Sequence, residues 1–423
     1  MSSLSLLSNL NRVESPFVKV TIGDYTFGVY EKNAVKNYDA TGIFKMHEIK
    51  YPNYIQSLNI TKINGQVNRY ELRFDYPVTQ NDDPNFFEKV FSSVSRSRKI
   101  IFSYGDFSMP TYIYKDEEAL ILKVRPSVNV EKAVISYTVE AISRAILSTS
   151  GTFNWDAKYC KPSDEIKRIL RLNSKYGLQD VFYGMRDYDK VISDNLIRSD
   201  DRPVQLEYQS RMSVFDYLSY LVNSMIPLAS ELENNKQSAV YSLTVIDDTS
   251  GVYGGPYFTV KLTDKKVDIF SAYEIDVGFP SKDIILDYSS EVDDTYSIYY
   301  DYQQELNNNE YAYRINRQGQ LEEIYSPAIS SDNEHYETQP IDKTWWGKVT
   351  EFPIKAKITI KGLLRPAVLM THVRLNLYFF GKKFIQSGLY IITQQQDSIG
   401  LRGNFKTTLT MVRISGDDEA WLH

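Results

Sequence analysis

The residues able to do chemistry are few and scattered along this 423-residue chain. A single cysteine, Cys160, stands between Lys158-Tyr159 and Lys161-Pro162. The flanking lysines favour a thiolate, but a cysteine nucleophile also needs a histidine partner, and none is near in sequence. One cysteine excludes an intrachain disulfide and a multi-cysteine metal site, and it fits synthesis in a reducing cytosol. The four histidines, His47, His335, His372 and His423, show no H-x-x-x-H or H-E-x-x-H spacing. The zinc geometry such motifs provide is therefore not written here, and no metal or cofactor is expected. Glu322-Glu323, Asp293-Asp294 and Asp417-Asp418 are adjacent acids. Neighbouring side chains diverge on a strand or helix, so none of these pairs suits glycosidase chemistry. Gly251-Val-Tyr-Gly-Gly-Pro256 lacks the Lys-Ser/Thr of a phosphate loop and ends in a residue with no N–H to donate. Trp345-Trp346 offers flat faces for stacking on a sugar or, at a junction, for plugging the space between domains. The balance points to a structural protein rather than an enzyme.

The elements around these residues are mostly strands. Phe17–Ile22 and Tyr25–Tyr30 flank Gly23-Asp24 as a hairpin. Tyr54–Ile63 and Arg69–Tyr76 flank Asn64-Gly65, and the second places Tyr70, Leu72, Phe74 and Tyr76 on one face against Arg69, Glu71, Arg73 and Asp75 on the other. Asn85–Phe91 reads as a short helix, after which strands resume at Lys99–Tyr104, Thr111–Tyr114, Ala119–Val124 and Ala133–Ala141. The pattern then changes. Pro162-Ser-Asp-Glu165 opens a helix over Ile166–Leu170, with Ser163 as its cap. Ser213–Met225 carries Phe215, Leu218, Leu221, Val222 and Met225 at helical spacing. Strand patterns return at Ala239–Ile246, Tyr257–Leu262, Lys282–Tyr288, Thr295–Tyr300 and Ile354–Lys361. They continue over Val368–Phe380 and Gly388–Gln396, then, after a turn over Asp397–Gly403, over Phe405–Ile414.

This divides the chain into a β-barrel over 1–152, an α+β domain over 153–238 and a β-rich middle domain over 239–340. A second barrel follows over 341–423, to which the middle domain contributes strands. The fold class is mainly β with an α+β insert. No strict internal repeat is present, although the strand-rich units at both ends suggest a duplicated architecture.

Composition bears on partners. Tyrosine is unusually frequent at 33 residues, and its flat apolar body with a polar tip suits sheets that meet other proteins. The net charge of −6 disfavours a duplex nucleic-acid binder of the usual basic kind. Residues 287–342 hold thirteen acids against Arg314 and Arg317, whereas residues 343–383 hold nine Lys/Arg against Glu351. Such segregation guides the docking of complementary surfaces. Lys355, Lys357 and Lys361 share one face of their strand opposite Ile354, Ala356, Ile358 and Ile360. That row is a candidate subunit or tube contact, and Trp345 and Trp346 are candidate buried anchors. The first ten residues lack a basic region and a long apolar run, so no leader peptide is expected, and no stretch is apolar for long enough to span a bilayer.

The run Leu363–Arg413 carries a recognisable cadence. It combines Arg365-Pro-Ala367, an alternating strand, Gly388-Leu-Tyr-Ile-Ile-Thr393 and Phe405-Lys-Thr-Thr-Leu-Thr410. It resembles the closing barrel of baseplate hub proteins in contractile-tailed bacteriophages, and the order of units along the chain also resembles theirs. The resemblance implies two tail-tube-like barrels with mixed domains between them. It implies a homotrimer whose six barrels match a hexameric tail tube, or its initiator protein, on one side and a trimeric central spike on the other, surrounded by baseplate wedge proteins. DNA would pass through the ring without being read. The protein would be made in the host cytoplasm and reside in the virion baseplate. Two other readings compete: a peripheral baseplate protein that binds a receptor or carbohydrate, and a polysaccharide or peptidoglycan hydrolase.

Overall fold

The computed structural model describes residues 16–30, 51–52, 54–80, 82–92, 98–106, 115–171, 199–200, 203–223, 226–227, 240–247, 257–263, 273–278, 285–292, 311–315, 321–325, 354–361, 369, 372–384, 386–400 and 404–416. The strands expected at Thr111–Tyr114 and Thr295–Tyr300, the glycine-rich run 251–256, Trp345, Trp346, His47, His335 and His423 lie outside them.

The first unit contains β1 (Pro16–Ile22), β2 (Tyr25–Tyr30), β3 (Tyr51–Pro52), β4 (Ile55–Ile63), β5 (Arg69–Pro77), helix α1 (Phe86–Ser92), β6 (Lys99–Asp106), β7 (Lys115–Asn129) and β8 (Val134–Ser143). Its strands run in the order β4-β5-β8-β7-β6-β1-β2-β3. Along β5 the even-numbered residues are buried and the odd ones face out, as period-two patterning requires. The sheet curls on itself: the Phe27 ring on β2 lies 4.9 Å from Phe74 on β5, although four strands separate them in the sheet. Helix α1 closes the interior. Its Phe87 packs 5.4 Å from Phe27, 5.0 Å from Phe74 and 4.9 Å from Tyr137. Full burial of one such ring stabilises by about 2–3 kcal/mol, so this aromatic knot is a main contributor to the unit.

The second unit is mixed. A 3₁₀ turn (Arg144–Thr149) leads to β9 (Phe153–Trp155), β10 (Lys158–Cys160), α2 (Pro162–Arg171), β11 (Ser199–Asp200), β12 (Val204–Leu206), β13 (Gln209–Met212), α3 (Val214–Asn223) and β14 (Ile226–Pro227). The hairpin of β15 (Val240–Ile246) and β16 (Tyr257–Thr263) shares its core: Leu243, Val245 and Phe258 cluster with Ile166, Ile169, Leu218 and Leu221. Trp155 stacks on Tyr217 at 4.0 Å and donates its indole N–H to Met212 O at 3.1 Å. Ser213 caps α3 by accepting from the backbone N–H of Asp216 and donating to its carboxylate.

The third unit comprises β17 (Tyr273–Val277), β18 (Ile285–Val292), β21 (Ile354–Lys361), β22 (His372–Phe379), β23 (Lys382–Lys383), β24 (Gly388–Gly400) and β25 (Asn404–Gly416). A separate hairpin pairs β19 (Tyr311–Ile315) with β20 (Leu321–Tyr325). The sheet again folds over its core. Tyr288 and Ser290 on the outer strand β18 reach Gln386, just ahead of β24, across the intervening β21 and β25.

The turn expected at Asp397–Gly403 is corrected. Asp397 to Gly400 continue β24, so the strand is 13 residues long, and the reversal into β25 falls after Gly400. Asp397 is fully buried and accepts from Gln395 Nε2 and Thr407 Oγ1. A carboxylate satisfied this way sits inside a sheet without a turn to expose it.

β24 also joins the two barrel-like units. Its second half pairs antiparallel with β4, from Gln394↔Ile63 to Gly400↔Ser57, while β25 pairs along its other edge. The result is one sheet of fifteen strands. Ile399 and Phe405 from the C-terminal strands are buried in the first unit's core.

Candidate functional site

The lysine row is where the alternation places it. Along β21, Ile354, Ala356, Ile358 and Ile360 are buried, Lys355 is half-buried, and Lys357 and Lys361 are exposed. Antiparallel pairing sets Glu291 of β18 opposite Lys355 and Ser289 opposite Lys357, with Asp287 opposite Thr359. The lysine row and the first acids of the acid-rich segment are therefore neighbours within one chain.

That face does not stop at β21. Following cross-strand partners from Lys361, one rung passes through Lys406, Ser398, Asn59, Glu71 and Glu140 to Lys123. A second runs Thr359, Thr408, Gln396, Thr61, Arg69. Both cross the seam between β24 and β4, where Ser398 Oγ donates to Asn59 Oδ1 at 2.8 Å. A single polar wall thus spans both barrel-like units. It is rich in hydroxyl and amide side chains, and its charges are partly matched: Arg73 with Asp75, and Lys123 and Arg125 with Glu140. Lys361 directly opposite Lys406 is an unfavourable like-charge pair that a polyanion or an acidic partner would relieve.

A buried polar knot lies behind this wall where the three units meet. Glu117 of β7 is buried; its Oε1 accepts from Tyr104 at 2.7 Å and pairs with Lys62, and its Oε2 lies 2.8 Å from Tyr70 Oη. Burial alone would lower Lys62, but the charge and hydrogen bond of Glu117 hold it above the usual lysine range. Asp247, just after β15, is buried beside them. It accepts from Ser143 Oγ at 2.5 Å and Asn68 Nδ2 at 2.8 Å, and its Oδ2 lies 2.9 Å from the same Tyr70 Oη. Its backbone carbonyl accepts from Glu118 N. Neither Glu117 nor Asp247 stands out in sequence: one follows Asp116 at the start of a strand, and the other ends an apolar strand beside Asp248. Only tertiary folding brings them together.

Among the described residues no three His, Cys, Asp or Glu side chains are placed to hold a metal. Cys160 differs from the expectation drawn from its lysines. Burial and then Glu165 push its thiol up, outweighing Lys158, which is engaged with Glu165 at 2.6 Å. No helix among the described residues is long and apolar enough to cross a membrane.

The β22–β23 hairpin turns through Phe380 (φ 51°) and Gly381 (φ 76°), where the sequence places a turn at Gly381-Lys382, and Phe380 is fully exposed there.

No family model matches the chain, and no curated protein matches it. Solved structures resemble it along most of its length. A tail protein from Neisseria meningitidis is 10% identical, with 96% of this chain and 98% of that one covered and a TM-score of 0.46. A prophage tail protein from Shewanella oneidensis is also 10% identical, over 94% of this chain and 98% of its own, with a TM-score of 0.47. An Escherichia coli component of the type VI secretion system is 10% identical over 85% and 74%, with a TM-score of 0.43. The chain's structural neighbours are thus tail and secretion-machine proteins.

Proposed function

We propose that this chain is the structural subunit of a trimeric baseplate hub, whose ring links a hexameric tail tube to a trimeric central spike and lets DNA through. The carrying observation is the β4–β24 seam. It sets two curled sheet units side by side in one chain and merges their outward faces into one polar wall. Three copies present six such units, which reconciles a threefold partner with a sixfold one. In this reading the polar wall lines the channel. Its hydroxyls and amides solvate DNA, and Glu71, Asp75 and Glu140 interrupt what would otherwise be a dense basic surface that holds it. The lysine row lies beside β18, the outer strand of the C-terminal sheet, where the next copy joins. Baseplate wedge proteins surround the ring, and the protein resides in the virion.

The test is solution mass by light scattering with size-exclusion chromatography, joined to negative-stain imaging. A particle of three 48.9 kDa chains with a central opening is expected. A monomer that stays monomeric when purified tube and spike proteins are added overturns the reading.

A further inference from the structure

Tyr70 has one hydroxyl proton and two carboxyl oxygens at bonding distance, Glu117 Oε2 at 2.8 Å and Asp247 Oδ2 at 2.9 Å. One proton cannot serve both, so the second short contact requires a proton on a carboxyl. Glu117 is the anionic member. Its ion pair with Lys62 and the hydroxyl of Tyr104 stabilise its charge. Asp247 has no ion pair among the described residues, and its two other bonds come from neutral donors, Ser143 and Asn68. Ser143 Oγ accepts from Ala145 N with one lone pair and donates its proton to Asp247 Oδ1. The arrangement is complete when Asp247 is a neutral acid that accepts from Ser143 and Asn68 and donates to Tyr70 Oη, while Tyr70 donates to Glu117.

The position of this group matters. Asp247 follows β15, whose Val245 lies in the core of the helical unit, whereas Tyr70 and Glu117 belong to the N-terminal barrel. Asn68 also donates to Val245 O, and Glu118 N to Asp247 O, so the end of β15 is bolted to the barrel. We propose that Asp247 is a proton-operated latch: as a neutral acid it locks the helical unit to the barrel through Tyr70, and as a carboxylate it repels Glu117 and loosens that joint.

The surrounding groups support this sign. Lys62 from β4 faces Glu117 and feels both Asp247 and Asp397 of β24; Tyr104 of β6 and Tyr70 of β5 are neutral. Glu118, the neighbour of Glu117, is matched by Lys99 and Arg144. Burial, reinforced by the charge of Glu117, pushes Asp247 up to about 6 against its hydrogen bonds, from an ordinary value of 3.8. A carboxyl raised in the folded state contributes stability that is fully present below its unfolded value and lost as pH rises through the folded one. This group's contribution is therefore largest below its ordinary value of 3.8 and falls away as pH rises through about 6, opposite to ordinary acid destabilisation.

Hydrogen exchange at β15 in the full chain, corrected for intrinsic rates, tests the latch. Between pH 5 and pH 8 the opening equilibrium at β15 is expected to rise about tenfold from this one group, and Asp247→Asn is expected to abolish the rise. A change below twofold in the native chain, or an equal change in Asp247→Asn, overturns it. Infrared spectroscopy of the native chain supplies a second reading that does not require the variant to fold. The carbonyl band of a buried neutral acid is expected at pH 5 and absent at pH 8, and its absence at pH 5 overturns the latch. Neither measurement depends on ring formation.

Discussion

Gly278 shows how little room some single positions leave. It follows β17 at φ +85°, and a Cβ there would stand 2.0 Å from the carbonyl oxygen of Tyr378. The neighbour is backbone, held in the parallel pairing of β17 with β22, and cannot swing aside. Gly278→Ala therefore combines left-handed strain with overpacking and is expected to cost about 2–4 kcal/mol. A shift in the urea midpoint at unchanged slope checks it; an unshifted midpoint sinks it. Nothing in Asp276-Val-Gly-Phe-Pro280 announces this demand, because it comes from a strand about a hundred residues away. The acidic knot was hidden for the same reason. Cys160 is the converse case: its lysines were visible, but the carboxylate that captures Lys158 becomes its neighbour through helix α2.

Among the elements, α3 is the one whose ends and face were most nearly readable. The spacing of Phe215, Leu218, Leu221 and Val222 places all four in the core, and Ser213 stands at the cap. Tyr217 N bonds back to Ser213 O, so the first turn depends on that residue twice. Ser213→Ala is expected to cost about 1 kcal/mol and to speed amide exchange first in residues 214–217. Unchanged exchange there would mean the core alone holds the helix. Strands with one dry face, such as β5 and β21, were equally legible, because alternation reports burial directly. β24 was not. Its second half is flanked by strands on both edges and carries Gln395 and Asp397 inward, so polar residues there mimic a turn. β7 was read too short, as Ala119–Val124, because Asp116, Glu117 and Glu118 before it are acidic and Arg125-Pro126-Ser127 after it breaks the apolar alternation.

At the scale of the molecule, the two ends of the chain are not independent. Strand-rich patterns at both ends of the chain were visible in the sequence, but the way they join was not, since edge pairing between β4 and β24 leaves no local trace. The join goes deeper than hydrogen bonds. Phe405 lies on β25, opposite Ile399, yet both side chains fill the core that β1 to β8 build. Had the barrels merely touched, Phe405 would belong to the third unit's core and its loss would be felt there alone. Instead, Phe405→Ala empties a ring-sized space in the N-terminal core, at an expected cost of about 3–5 kcal/mol. Hydrogen exchange should then show protection falling together in β4, β5 and the second half of β24, with β17 and β22 less affected. If protection drops only within residues 354–416, the two units are separable and the shared sheet is a contact rather than a common core. A joint loss would mean the chain unfolds its two barrel-like units as one body, which is what the shared β4–β24 sheet and common core predict.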